Sequence, residues 1–271
     1  MPTAPQPNRR DHPPRDPVRL HRLAHEVSAR RFSEAYVSRM RAEIRQHSLT
    51  LSRHLDRPNF TRVGRDDVER MIRMYDERFF GGEIVSAAAA EGLSFDISPR
   101  MTSAAGKLVT SYPGGDRRGP RRFRLTLSST LLFQTFADVD RPVTVTGHVC
   151  RDRLEAMQRV AEHELVHLAE MLIWDDGNCS QPRFRSIAAR YFGHTDFSHE
   201  LITQRERAVR KFGLRVGDRV RFRGETGTLI GRINRITRRA TVLVPDPRGE
   251  RFSDGHRYRR YYVPLDRLSK V

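Results

Sequence analysis

Two histidines four residues apart, with a glutamate directly after the first, are the side chains here best suited to chemistry: His163-Glu164-Leu165-Val166-His167. On a helix, residues four apart sit one above the other on the same face. His163 and His167 can therefore direct two imidazoles at one metal ion, roughly 2.0–2.1 Å from each ligand nitrogen. Glu164 is turned about 100° around the helix from His163, which places its carboxylate beside the metal and not on it. There it can take a proton from water and later deliver it to a leaving amine. Zn2+ lowers the pKa of water from about 15.7 toward roughly 7, so hydroxide becomes available at neutral pH. The arrangement H-E-x-x-H on a helix is that of a zinc metallopeptidase.

A catalytic zinc takes a third protein ligand and keeps one position open. Cys179 is the favoured candidate: it follows the loop Trp174-Asp175-Asp176-Gly177-Asn178 and precedes a helix, whose N-terminus favours a thiolate. His194 and His199, beyond that helix, are alternatives. So is Glu170, seven residues after His163 and on its face, although it could instead hydrogen-bond a ligand histidine.

These groups need rigid elements to hold them. Leu154, Met157, Val160, Ala161, Leu165, Leu168 and Leu172 follow the helical period and predict a long helix from about Arg151 to Ile173. A second helix is expected over Pro182–Phe192, with Pro182 in its first turn and Gly193 just past its end. Upstream, a helix from Asp66 to Phe80 stops at Gly81-Gly82. Leu93–Ile97 and Phe123–Leu127 alternate like half-buried strands, with turn chemistry around Tyr112–Asp116 between them. Residues 17–57 carry apolar residues at helical spacing with Arg22, Arg30, Arg31, Arg39, Arg41 and Arg45 interleaved: a basic amphipathic helix able to lie on nucleic acid or pack on the main domain. The Pro- and Arg-rich start reads as a disordered tail with no apolar secretory segment.

Charge is unevenly spread. The chain carries +17, as +6 over residues 1–60, +2 over 61–211 and +9 over 212–271. Lys occurs only at 107, 211 and 270, so the basicity is arginine, whose rigid donor fork suits phosphate. Three regions follow: a tail and basic helix (1–60), a nearly neutral domain (61–211) and a basic C-terminal unit (212–271). Two cysteines, Cys150 and Cys179, make no disulfide framework, and no apolar run approaches the roughly 20 residues that span a bilayer. A soluble, cytoplasmic protein is expected, associated with the nucleoid if bacterial.

The middle domain resembles the SprT-like, or Spartan-type, zinc metallopeptidases. The likeness runs through Met74–Gly82, Phe95–Ser98, Leu125–Ser128, Glu162–His167, Arg183–Ala188 and Phe192–Thr195, and covers about residues 66–200. It implies an α+β, zincin-like domain with the H-E-x-x-H helix packed on a small sheet. It further implies a Zn2+-dependent protease acting on proteins associated with or crosslinked to DNA. One departure stands out: where the family carries its third ligand, a histidine in a His-Gly-x-x-Phe segment, this chain has Ser180, with Cys179 beside it.

The last 60 residues contain four or five short strands separated by Gly224, Gly227 and Pro245-Asp246-Pro247, which predicts a small SH3-like β-barrel. The segment resembles KOW or SH3-like modules. Arg219, Arg221, Arg223, Arg232, Arg235, Arg238 and Arg239 are candidates for phosphate contact, and Tyr258, Tyr261 and Tyr262 for stacking. The expected partners are protein substrates and nucleic acid, DNA first, with no membrane. The rival expectation is a non-catalytic nucleic-acid-binding protein whose zinc is structural, which four protein ligands would mark.

Overall fold

The computed structural model describes residues 16–115, 121–225 and 227–271. Most of the Pro- and Arg-rich tail, Asp116 of the turn and Thr226 lie outside them. In chain order the elements are α1 (Pro17–Ala29), α2 (Glu34–Leu51), α3 (Arg65–Phe80), α4 (Glu83–Glu91), β1 (Leu93–Ser98), β2 (Gly106–Ser111), β3 (Arg122–Ser128) and α5 (Ser129–Gln134). There follow β4 (Val143–Val145), β5 (His148–Cys150), α6 (Arg153–Trp174), α7 (Pro182–Phe192) and α8 (Gln204–Phe212). The chain closes with β6 (Arg219–Gly224), β7 (Gly227–Ile236), β8 (Ala240–Arg251), β9 (Arg257–Val263), a 3-10 turn and β10 (Ser269–Lys270). The fold is mixed, α+β.

The long helix α6 is the axis of the larger core. Asp152 caps it by accepting from the amides of Leu154 and Glu155. Unlike a surface helix it is buried on nearly every side, including Gln158, Arg159, Glu162, His163 and Glu164. Around it lie α1–α5, α7 and a three-stranded sheet ordered β1-β3-β2. β1 runs parallel to β3, and β2 antiparallel to it, so β2 is an edge strand.

The basic N-terminal region is two helices, not one. Ser33 caps α2 through the Tyr36 amide, and the Phe32 N–H donates to Arg190 O, pinning an extended break between them. Of the two roles open to this region, packing on the main domain is the one observed: Leu23, Val27, Val37, Met40 and Ile44 enter the main core. Two of its arginines point inward as well. Arg41 forks onto Glu162 (2.8 and 2.7 Å) and Arg45 onto Asp152 (3.0 and 2.7 Å).

A second, smaller core holds the C-terminal unit, a five-stranded antiparallel sheet ordered β10-β6-β7-β8-β9. Ala208 of α8 and Leu214 belong to this core, whereas Leu201 and Ile202 belong to the first. Core membership therefore changes between residues 202 and 208. Among the described residues no helix is long and apolar enough to cross a membrane.

Candidate metal centre

His163 and His167 project from α6 into one cavity of about 510 Å³ whose wall also holds Gly106, Glu164, Cys179 and His199. The two histidine Nε2 atoms stand 3.1 Å apart. One ligand atom from each of His163, His167 and Cys179 lies within 4.8 Å of the others, the only such group of three among the described residues. A slightly larger hollow of about 560 Å³, between Pro245 and Tyr258, contains no such group.

The donor set fits a tetrahedral metal ion. Two nitrogens held about 2.0–2.1 Å from a common ion are a little over 3 Å from each other, close to the separation found here. Burial drives the pKa of both imidazoles down, His163 well below its ordinary value and His167 to about 4. Both are therefore neutral, as ligands must be. The Gly177 backbone opposes the shift at His167 as its hydrogen-bond partner, which leaves Nε2 to face the cavity. Phe184 of α7 seats both rings, its centroid 4.8 Å from His163 and 4.4 Å from His167.

Glu164 is almost fully buried beside them, and its Oε2 has no hydrogen-bond partner. Burial pushes its carboxyl up to about 8, against a backbone hydrogen bond from Leu108. A divalent cation nearby would reverse that shift, since opposite charge favours the carboxylate. The edge strand β2 supplies this wall. Gly106 is needed there: a Cβ at that position would lie 2.6 Å from Glu164 Cγ.

The candidates for third ligand now separate. Cys179 faces the cavity with the two histidines, and both cysteines are free. Ser180 is exposed, its hydroxyl donating to Asn178 Oδ1 at 2.8 Å. Glu170 is engaged by Arg183, which also reaches Asp176. His194 is not in that cavity or donor group: its Nε2 donates to Glu162 Oε2 at 2.9 Å in a buried cluster with Arg41 and Arg159. Burial alone would raise the Glu162 pKa, yet the two arginines hold it well below the ordinary carboxylate range. Glu162 thus anchors α6 one residue before His163.

His199, another of the alternatives, stands beside the two α6 histidines. Its ring meets His163 edge to face, centroids 4.3 Å apart, and its Nε2 is buried without a partner. The segment carrying it is strapped to the β4–β5 hairpin by Thr146 N–H to Ser198 O (2.8 Å), Glu200 N–H to Thr144 O (2.9 Å) and a bridge between Val145 and His199. Thr146, buried and β-branched, takes φ +54° to make that turn, a conformation that costs energy and is held by its surroundings. Nothing in the spacing of His199 announces this placement, because it depends on the strap.

In the C-terminal unit, Arg221, Arg223 and Arg235 are exposed on strands, and Arg238 and Arg239 on the β7–β8 turn. Tyr261 packs against Phe222, and Tyr258 edge to face against Phe252. Tyr262 is 62% exposed. No protein-family model, curated protein or solved structure matches the chain.

Proposed function

We propose that the chain is a zinc-dependent metallopeptidase of the SprT-like kind, acting on proteins associated with or crosslinked to DNA. The observation that carries this reading is the shared cavity of His163, His167 and Cys179 with a buried carboxylate, Glu164, whose Oε2 has no partner. In this reading α6 and the three-stranded sheet form a zincin-like layer, and the five-stranded sheet an SH3-like barrel. His163, His167 and Cys179 would hold the Zn2+, which when bound supplies Lewis acidity toward water and a substrate carbonyl. Glu164, fixed against Gly106, accepts a proton from water and returns it to the leaving amine. The edge strand β2 and the strap through His199 line two sides of the cavity.

The test joins metal analysis to cleavage of a protein–DNA crosslink. Wild type is expected to hold one zinc per chain and to cleave. Glu164→Gln should keep the metal and lose cleavage. Metal-free wild-type protein, or a Glu164→Gln variant that still cleaves, overturns the reading.

One observation favours the non-catalytic alternative. His199 presents a buried, unpartnered nitrogen beside His163, and a fourth protein donor would close the site as structural zinc sites are closed. X-ray absorption of the zinc-loaded protein separates the two. Loss of one nitrogen donor in His199→Ala supports the structural site, and an unchanged donor count supports the enzyme.

A further inference from the structure

The five-stranded sheet has one face in the small core and one face outward. Val220, Phe222, Ile233 and Val242 point in. The intervening positions of β6, Arg219, Arg221 and Arg223, are all exposed. The register then places Arg219 directly opposite Arg232 of β7, and Arg232 opposite Leu243 of β8. One row further along, Arg235 lies opposite Thr241 and Thr241 opposite Tyr262 of β9. A bulge between Ile233 and Arg235 keeps Arg235 on this outer face while Ile236 returns to the core.

Two features set this face apart from an ordinary solvated surface. Like charges directly opposite across strands destabilise a sheet, yet Arg219 and Arg232 face each other with no ion pair to either among the described residues. Of the unit's six acids, three are paired elsewhere, Asp218 with Lys270, Asp246 with Arg259 and Glu250 with Arg260, and Asp254 bonds to Tyr258 and the His256 amide. The result, among the described residues, is a row of arginines with no acid partner, and beside it the most exposed tyrosine of the unit.

We infer that this outer face binds single-stranded nucleic acid, its backbone running over the row Arg219–Arg232 and a base stacking on Tyr262. Charge calls for a polyanion, and the exposed ring selects among polyanions. Bases in a duplex already stack on each other, whereas those of a single strand are free to stack on an aromatic side chain. This inference rests on the nucleic-acid half of the reading above and not on the metal centre, so the two can fail separately.

The experiment is fluorescence anisotropy of the full chain with a labelled oligothymidylate and a duplex of equal length, over a series of salt concentrations. Wild type should bind the single strand at least about tenfold more tightly than the duplex. Because each phosphate contact to a single strand contributes about 0.7 to the salt slope, Arg219→Ala/Arg232→Ala should flatten that slope by about 1.4 and weaken binding. Tyr262→Ala should weaken single-strand binding roughly tenfold with the slope unchanged, as loss of one stacking contact does. All three side chains are exposed, and Arg232→Gln alone, checked by circular dichroism, repeats the test with the least change in packing. Glu164→Gln should bind as wild type. Equal affinity for duplex and single strand, or wild-type binding by the arginine and tyrosine variants, overturns the inference.

Discussion

Glu164 lies against the backbone of Gly106 with no room for a side chain between them: a Cβ on Gly106 would stand 2.6 Å from Glu164 Cγ. The carboxylate is therefore aimed by β2 as much as by its own helix. Gly106→Ala should displace it while leaving the donors of α6 untouched. The expected outcome is a loss of proteolysis of about 10²-fold, the order that a misplacement of about 1 Å produces, with zinc content unchanged. Retained activity in Gly106→Ala would remove Glu164 from the role of base.

Cys179→Ala should release zinc to a weak chelator that wild type resists, since two imidazoles alone make a poor site. Ser180→His in that background should not recover the metal, because position 180 faces Asn178 and solvent. Recovery would mean that the loop can turn its histidine inward as the resembled family does.

Removing one partner from a buried ion pair leaves the other charge uncompensated, at a cost of about 3–5 kcal/mol. Glu162 has fully buried side-chain oxygens, and Arg41 is its bidentate partner from α2. Because Arg159 stays paired with Glu162, Arg41→Ala should lower the free energy of unfolding by part of that amount, about 2–3 kcal/mol, read from urea denaturation at constant slope. A change under about 1 kcal/mol would show that Arg159 and His194 suffice.

Acid should loosen the attachment of α8. Asp138 accepts from Arg207 and Lys211, and these bonds hold its pKa at about 2 against an ordinary 3.8. A carboxylate with a depressed folded-state pKa adds stability above its unfolded value, and that contribution disappears as pH falls from about 4 through about 2. Asp138→Asn should therefore be less stable than wild type at pH 6 and approach it near pH 2. A difference that is constant with pH would assign the effect to packing.

Much of this was legible in the chain, and the parts that were not have identifiable causes. The α6 helix, with His163, Glu164 and His167 on it, announces itself because the apolar period and the H-E-x-x-H spacing coincide on one element. Pro182 and Gly193 mark the ends of α7 for reasons of backbone chemistry alone. The strand β2 escaped because Gly106–Ser111 alternates only weakly, its burial never passing intermediate. Its identity comes from pairing with β3, which is a tertiary fact. The break between α1 and α2 is set by Phe32 docking on Phe79 and Tyr191, contacts remote in sequence. His194 looked like a ligand by type and is instead a buried donor to Glu162.

The fork of Arg41 onto Glu162 has a consequence for how the molecule can be divided. A fragment starting at residue 61, where composition changes, would keep every metal donor but would strand an anion inside α6 with half its counter-charge gone. The helices at the front of the chain are thus structural members of the larger core, and the smallest piece that folds as the whole chain does should begin near Pro17. Shortening from that end is expected to disturb the candidate metal site from behind, through α6, without touching the cavity itself.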